Sequence, residues 1–156
     1  MSREYFKRRQ NLLKDLLSQK GLDGMIVTNL THIRYLCGFT GSSATLVITE
    51  EQTNFITDGR YVVQSEKEVK GANIIIDSIS HFEVVKNQSL LTSGSKIAFD
   101  GKNVSHEGFQ QISSILSNLK LKSITGLIEK MAMSKDDKEL EAIRTCLLYT
   151  SDAADE

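Results

Sequence analysis

The sequence contains no proline, only two cysteines and no long apolar run. Without proline, the turns depend on glycine, asparagine and aspartate. Cys37 and Cys146 lie far apart and belong to no CxxC pair, which argues against a disulfide framework or a zinc knuckle and predicts two reduced thiols. No apolar run approaches the ~18 residues of a membrane span, and charged residues interrupt any signal-peptide region. We therefore predict a cytoplasmic protein that does not contact a membrane.

The sequence also has no excess of positive charge, because its 19 Lys and Arg residues are balanced by 20 Asp and Glu residues. Nucleic-acid-binding domains are usually basic and concentrate Lys and Arg on one face. The most basic stretch, Lys7-Arg8-Arg9, lies inside an amphipathic helix pattern and is interpreted as the solvated side of that helix. The charge distribution thus predicts no nucleic-acid partner.

Helix and strand patterns alternate along the chain. Phe6, Leu13 and Leu17 follow a helical period, and Gly21 is the expected end of this first helix. Short apolar runs predict strands at 24–28, 44–49, 53–57, 73–77, 96–100 and 121–125, of which the second and third form a hairpin. Further helices are predicted at 59–68, 82–91 and 104–119. This order predicts an α/β fold: a three-layer α/β/α domain on a mixed sheet of about six strands.

The residues that most often carry catalysis do not form a recognisable set. His32, His81 and His106 fall in different predicted elements, whereas a two-metal hydrolase needs several carboxylates and a histidine at one site. His106 begins an HExxH-like stretch, but Gln110 occupies the position of the second ligand. The glycine-containing segment 38–43 does not fit a phosphate-binding loop, because it leads into a strand where such a loop leads into a helix, and because it lacks the P-loop lysine. We predict no catalytic residue and no metal ligand in this chain.

Three motifs in a fixed order carry a resemblance to a known family. The sequence reads Asn29-Leu-Thr-His-Ile-Arg-Tyr-Leu-Cys-Gly-Phe-Thr-Gly-Ser-Ser43, then Phe55-Ile-Thr-Asp-Gly-Arg-Tyr61, then Met133-Ser-Lys-Asp-Asp-Lys-Glu-Leu-Glu-Ala-Ile-Arg144. This order resembles the amino-terminal domain of the creatinase/prolidase/aminopeptidase P family, the "pita-bread" metallopeptidases. The resemblance covers roughly residues 4–145. It departs from the family pattern at Cys37, where threonine is usual, and at Met131-Ala-Met133, where an arginine and a lysine are common.

The resemblance implies an Xaa-Pro aminopeptidase or dipeptidase, a metal-dependent and usually homodimeric hydrolase of bonds that precede proline in peptides. Its two divalent metals, manganese, cobalt or zinc, are expected in a catalytic domain that follows this chain. The chain itself is expected to be a truncated, inactive fragment that contributes to dimerisation and substrate access. We predict a domain at 1–130, a junction helix at 131–146 and a disordered, non-native tail at 147–156.

The resemblance also implies roles for individual residues. The loop that can reach a neighbouring subunit's active-site mouth corresponds here to Asn29, Thr31, His32, Arg34 and Tyr35. A structural alternative stays open for these residues, such as a turn, a local ion pair or packing. A structural role is expected for Gly38, Phe39, Gly41, Asp58, Gly59 and Arg60.

Two other functions remain open from the sequence. One is a stand-alone protein-binding module of the same fold, because relatives in histone chaperones have lost peptidase activity. The other is a fragment of a creatine amidinohydrolase, which shares the domain. A helix predicted to start at Ser134, with Leu140 and Ile143 on its apolar face, is expected to fray or to pack adventitiously.

Overall fold

The structure, a computed structural model, describes the backbone of residues 3–152 and the side chains as far as residue 147. The chain divides into two compact units, one that ends at Gly126 and one that begins at Leu127. The first unit contains the sheet and the helices that cover it. None of the described helices combines the length and the apolar character that crossing a membrane requires.

The first unit is built on a six-stranded mixed sheet. Its strands are β1 Gly24–Val27, β2 Thr45–Thr49, β3 Thr53–Thr57, β4 Asn73–Ile76, β5 Lys96–Asp100 and β6 Lys120–Ile124, in the spatial order β4-β3-β2-β1-β5-β6. Strand β2 runs antiparallel to both β1 and β3, and the other neighbours pair in parallel. The carboxyl ends of the other five strands therefore share one edge with the amino end of β2. We call this edge the carboxyl edge.

The helices are α1 Arg3–Gln19, α2 Leu30–Cys37, α3 Val62–Glu68, α4 His81–Asn87 and α5 His106–Ile115 in the first unit, with α6 Leu127–Met133 and α7 Asp137–Asp152 in the second. A 3-10 turn, Gly59–Tyr61, precedes α3. It occupies the start of the helix predicted at 59–68, because Asp58 caps a tight turn before the α-helical hydrogen bonding begins.

Both faces of the sheet are covered, since successive strand residues point to opposite sides. On one face, Ile26, Val47, Ile56 and Ile97 pack with Val84 and Val85 of α4, with Ile112 of α5 and with Leu116, which follows α5. On the other face, α1 contacts α2, β1 and β2, and buries Leu13 and Leu17. Each buried leucine of this kind stabilises the fold by roughly 1.5–3 kcal/mol. The predicted three-layer α/β/α fold is confirmed.

The second unit differs from the prediction in three ways. Helix α7 is capped by Asp136 and Glu139, each of which accepts a hydrogen bond from the backbone N–H of the other, and it does not start at Ser134. Helix α7 also continues through residues 147–152, which were predicted to be disordered, while 153–156 lie outside the described residues. Helix α6 was not predicted.

Candidate functional site at the carboxyl edge

Helix α2 starts at the carboxyl edge and holds most of the candidate substrate residues. Oδ1 of Asn29 accepts the backbone N–H of His32 at 3.1 Å and so caps the helix. The helix ends at Gly38, whose φ of 90° places it in the left-handed region and whose N–H donates to the carbonyl of Arg34 at 2.9 Å. The sequence predicts a polar loop followed by a short turn of helix here, and the structure has an eight-residue helix with both ends capped.

The helix divides the candidate residues between its two sides. Thr31 and Arg34 are exposed, and with Leu30 they lie at the three- and four-residue spacing of one helix face. Asn29 and Tyr35 are half-buried, and His32 is buried. Within the first unit, α2 thus presents Thr31 and Arg34 outward and directs His32 into the fold.

Tyr35 takes part in the contact between α1 and α2. The guanidinium carbon of Arg9 lies 4.0 Å from the centroid of the Tyr35 ring, and its Nη1 donates to the Tyr35 carbonyl at 2.8 Å. The neighbouring Gln10 donates from Nε2 to the carbonyl of Leu36 at 2.9 Å. These contacts hold α2 in place at the carboxyl edge.

His32 meets an acidic residue that sequence reasoning did not identify. Its Nδ1 lies 3.4 Å from Oδ2 of Asp100, the last residue of β5, and only 7% of His32 and 4% of Asp100 are exposed. Asp100 also accepts hydrogen bonds from the backbone N–H of Lys102 and from Nδ2 of Asn103. A signal was available in the sequence, since an acidic residue at the carboxyl end of a strand lies where α/β sheets bind ligands. Within the first unit this pair supplies two ligands, fewer than the three or four protein ligands typical of zinc.

Asp58 and Arg60 form a second polar group, after β3. The carboxylate accepts Nε and Nη2 of Arg60, each at 2.9 Å, and Oδ1 also accepts the Arg60 backbone N–H. The hydrogen bond from the Arg60 side chain holds the pKa of Asp58 well below its usual range, and a hydrogen bond from Ser43 acts in the same direction. In this geometry Asp58 caps the turn and its charge is matched by Arg60.

The glycines of the motif differ in what surrounds them. A Cβ at Gly41 would lie 2.3 Å from Cζ of Phe39, whose buried ring packs edge-on against Phe55 and Tyr61. A Cβ at Gly38 would lie 3.0 Å from the carbonyl oxygen of Glu68. A Cβ at Gly59 would meet no atom within 4 Å. Close packing therefore requires glycine at 38 and 41 but not at 59.

His81 forms a third polar contact at this edge. Its Nδ1 lies 2.9 Å from Oγ1 of Thr45, the first residue of β2. Burial lowers the pKa of His81, and the nearby charge of Asp58 opposes this shift. A hydroxyl beside an imidazole resembles a nucleophile with its base, but Thr45 is only 3% exposed. Thr45 is therefore closed to solvent in the structure, whereas Thr31 and Arg34 are exposed at the same edge.

Clefts of about 330 and 560 Å³ open at the opposite edge of the sheet, and both are lined in part by Asp23, Thr49 and Glu50. Oδ2 of Asp23 already accepts the backbone N–H of Lys96 at 2.7 Å. Ligands of α/β sheets bind at the carboxyl ends of strands, so the carboxyl edge remains the better candidate.

Comparison with known proteins identifies the family of most of the chain. A model of the creatinase/prolidase N-terminal domain matches residues 8–133. An uncharacterized peptidase, YqhT of Bacillus subtilis (strain 168), is 29% identical over 141 residues, which are 90% of this chain and 40% of the relative. The chain therefore spans well under half the length of this relative.

Several solved structures are similar in fold, and two of them illustrate the match. An Xaa-Pro dipeptidase from Bacillus anthracis matches with a TM-score of 0.80 and 26% identity, over 87% of this chain and 38% of the dipeptidase. The N-terminal domain of the cytoplasmic peptidase PepQ from Mycobacterium tuberculosis H37Rv matches with a TM-score of 0.71 and 27% identity, over 79% of this chain and 97% of that domain. The chain belongs to the creatinase/prolidase N-terminal domain family.

Proposed function

We propose that this chain is the non-catalytic domain of an Xaa-Pro aminopeptidase or dipeptidase, and that it contributes to substrate access and to a homodimer. The observation that carries the proposal is the position of α2, which is capped at both ends and presents Thr31 and Arg34 at the carboxyl edge. The description of the Bacillus anthracis neighbour as an Xaa-Pro dipeptidase supports this substrate class.

The exposed groups of α2 suit the end of a short peptide. An arginine guanidinium offers a rigid fork of donors that matches a carboxylate, and a threonine hydroxyl adds a donor or an acceptor. We expect Arg34 to contact the carboxylate of a proline-containing peptide, with Thr31 beside it. Buried His32 and Asp100 then act as positioning residues that hold the start of α2 against the end of β5.

The chemistry of bond cleavage is proposed to belong to another part of a longer protein. Two divalent metals, manganese, cobalt or zinc, would supply an activated water and polarise the peptide carbonyl there. Among the described residues of the first unit, His32 and Asp100 supply two candidate ligands, fewer than a zinc site requires, so we assign no catalytic step to this unit. The cytoplasmic peptidase among the structural neighbours supports a cytoplasmic location for the longer protein.

A turnover assay tests the non-catalytic role. The purified chain is incubated with an Xaa-Pro dipeptide and manganese or cobalt, and release of proline is measured against a blank without protein. We expect no release above the blank. Metal-dependent release that scales with protein concentration would contradict the proposal.

Residues 147–156 are predicted to be a non-native tail. The genomic DNA downstream of codon 146 therefore distinguishes a peptidase from a stand-alone binding module. An in-frame continuation that encodes a carboxylate and histidine metal set supports the peptidase. A genuine stop codon at that point supports the module.

A further inference from the structure

The two outer strands of the sheet differ in how their free edges are protected. Strand β6 carries the exposed Lys120 and Lys122, and charged residues of this kind discourage pairing with another chain. Strand β4, Asn73–Ile76, has three isoleucines and no charge. Across residues 3–152 no strand pairs with the outer side of β4. Strand β4 is therefore the open edge of this sheet.

The backbone groups on the open edge can be assigned. The N–H of Asp77 donates to the carbonyl of Thr57, at the end of β3, at 3.1 Å. Backbone groups of successive residues in a strand point to alternate sides. Ile75 therefore faces β3 like Asp77, whereas the N–H and C=O groups of Ile74 and Ile76 face outward.

Exposed aliphatic side chains lie on the elements next to this edge. Val63 of α3 is 62% exposed, Ile76 of β4 is 37% exposed and Ile79, just after β4, is 40% exposed. Helix α3 contacts β4, so Val63 belongs to the crossover that leads into the strand. Apolar area of this kind supplies the hydrophobic part of a protein interface.

We propose that two copies of this chain associate by antiparallel pairing of β4 with β4, which joins their sheets into one. In such a pair, Ile74 of one copy and Ile74 of the other exchange two backbone hydrogen bonds. This inference names the surface for the dimer in the proposed function and rests on that function.

The charges at the ends of β4 favour a second copy as the occupant. Lys70 precedes the strand and Asp77 follows it. Antiparallel pairing about a two-fold axis brings the Lys70 end of each copy towards the Asp77 end of the other, so residues of opposite charge lie at each end of the paired strands. A parallel arrangement would place like charges together.

Sedimentation equilibrium of the full chain tests the proposal. We expect a mass that rises with concentration from 17.4 kDa to twice that value. Ile76→Lys should weaken the dimer about 100-fold, because it removes buried apolar area and adds charge on both sides of the axis. The matched control is Leu12→Lys, at an α1 position that is 46% exposed, and it should leave the dimer unchanged. Circular dichroism melts check that both variants fold.

Hydrogen exchange supplies a readout at the edge itself. The amides of Ile74 and Ile76 should gain protection as the concentration rises, while the amide of Ile75, which faces β3, should not change. A dimer that persists in Ile76→Lys, or that forms without this protection, overturns the β4 interface alone. A chain that stays monomeric contradicts both the interface and the proposed dimer, whereas the turnover assay still tests the non-catalytic role.

Discussion

Nδ1 of His32 and Oδ2 of Asp100 lie 3.4 Å apart and join the first turn of α2 to the last residue of β5. Of the candidate substrate residues, His32 has the side chain best suited to proton transfer, yet it is 7% exposed. Within the first unit, the contact with Asp100 gives His32 a positioning role. Thr31 and Arg34 are the candidate residues on the outward surface of α2.

The His32 and Asp100 contact predicts a stability effect. Asp100→Ala should lower the free energy of unfolding by about 1–3 kcal/mol, because the N–H of Lys102 and Nδ2 of Asn103 also lose their acceptor. Urea denaturation followed by circular dichroism measures this change. Asp15→Ala, at an exposed position of α1, is the control and should stay within about 0.5 kcal/mol of the parent. Equal stability of both variants would disprove the structural role of Asp100.

Substitution by alanine is expected to have different effects on stability at Gly38 and at Gly59. Gly38→Ala should destabilise the fold by about 1–2 kcal/mol or more, because alanine is strained at a φ of 90° and its Cβ would press on the Glu68 carbonyl. Gly59→Ala should change stability little, since a Cβ there meets no neighbour. Thermal melts of the two variants provide the comparison. A Gly38→Ala protein that melts with the parent would show that the turn rearranges freely.

His81 predicts a pH dependence of stability. Because burial lowers its pKa below the ordinary 6.5, the unfolded chain takes up the proton first as the pH falls. Stability should therefore rise with pH between the lowered value and 6.5, and decrease as the pH falls below 6.5. His81→Gln should flatten this part of the profile, as measured by urea denaturation at a series of pH values.

Thr45→Val is the matched variant for His81. It removes the hydroxyl that contacts Nδ1 but leaves the titrating ring in place, so the profile should fall overall while its slope remains. A slope that survives His81→Gln would assign the pH dependence to other groups.

Arg34 predicts a kinetic effect in an enzyme that contains this domain. If its guanidinium binds the peptide carboxylate, Arg34→Gln should raise KM for an Xaa-Pro dipeptide about 10-fold or more and change kcat little, as expected for a lost charge-assisted hydrogen bond. Arg34→Lys keeps the charge and loses the planar fork of donors, so its KM should lie between that of the parent and that of Arg34→Gln. An unchanged KM in Arg34→Gln would place Arg34 outside the substrate path.

Helix α7 predicts rapid hydrogen exchange. Leu140 and Ile143 are 40% and 43% exposed, so little apolar burial stabilises this helix. Amides across residues 139–146 should exchange much faster than those of β1 and β2. Protection equal to that of the core strands would contradict this expectation.

Features with a local cause were predictable from the sequence. Strands β3 and β5 match their predicted bounds of 53–57 and 96–100, because each is a short apolar run with turn residues on both sides. The Asp58 cap was also visible, since an aspartate before a helical stretch satisfies free N–H groups. The predicted start of α7 differs from the observed one because two capping patterns, at Ser134 and at Asp136, overlap in the sequence, and the structure uses the one at Asp136.

The sequence by itself determined the α/β class, the mixed sheet with its β2–β3 hairpin and the family, because periodicity, caps and turn residues act over a few positions. Tertiary structure alone decided which candidate residues remain accessible. His32 meets Asp100 only because β5 pairs in parallel with β1, and Thr45 meets His81 only because β2 begins at the edge where α4 starts. These contacts join residues distant in sequence, so they depend on strand order, which no local pattern encodes.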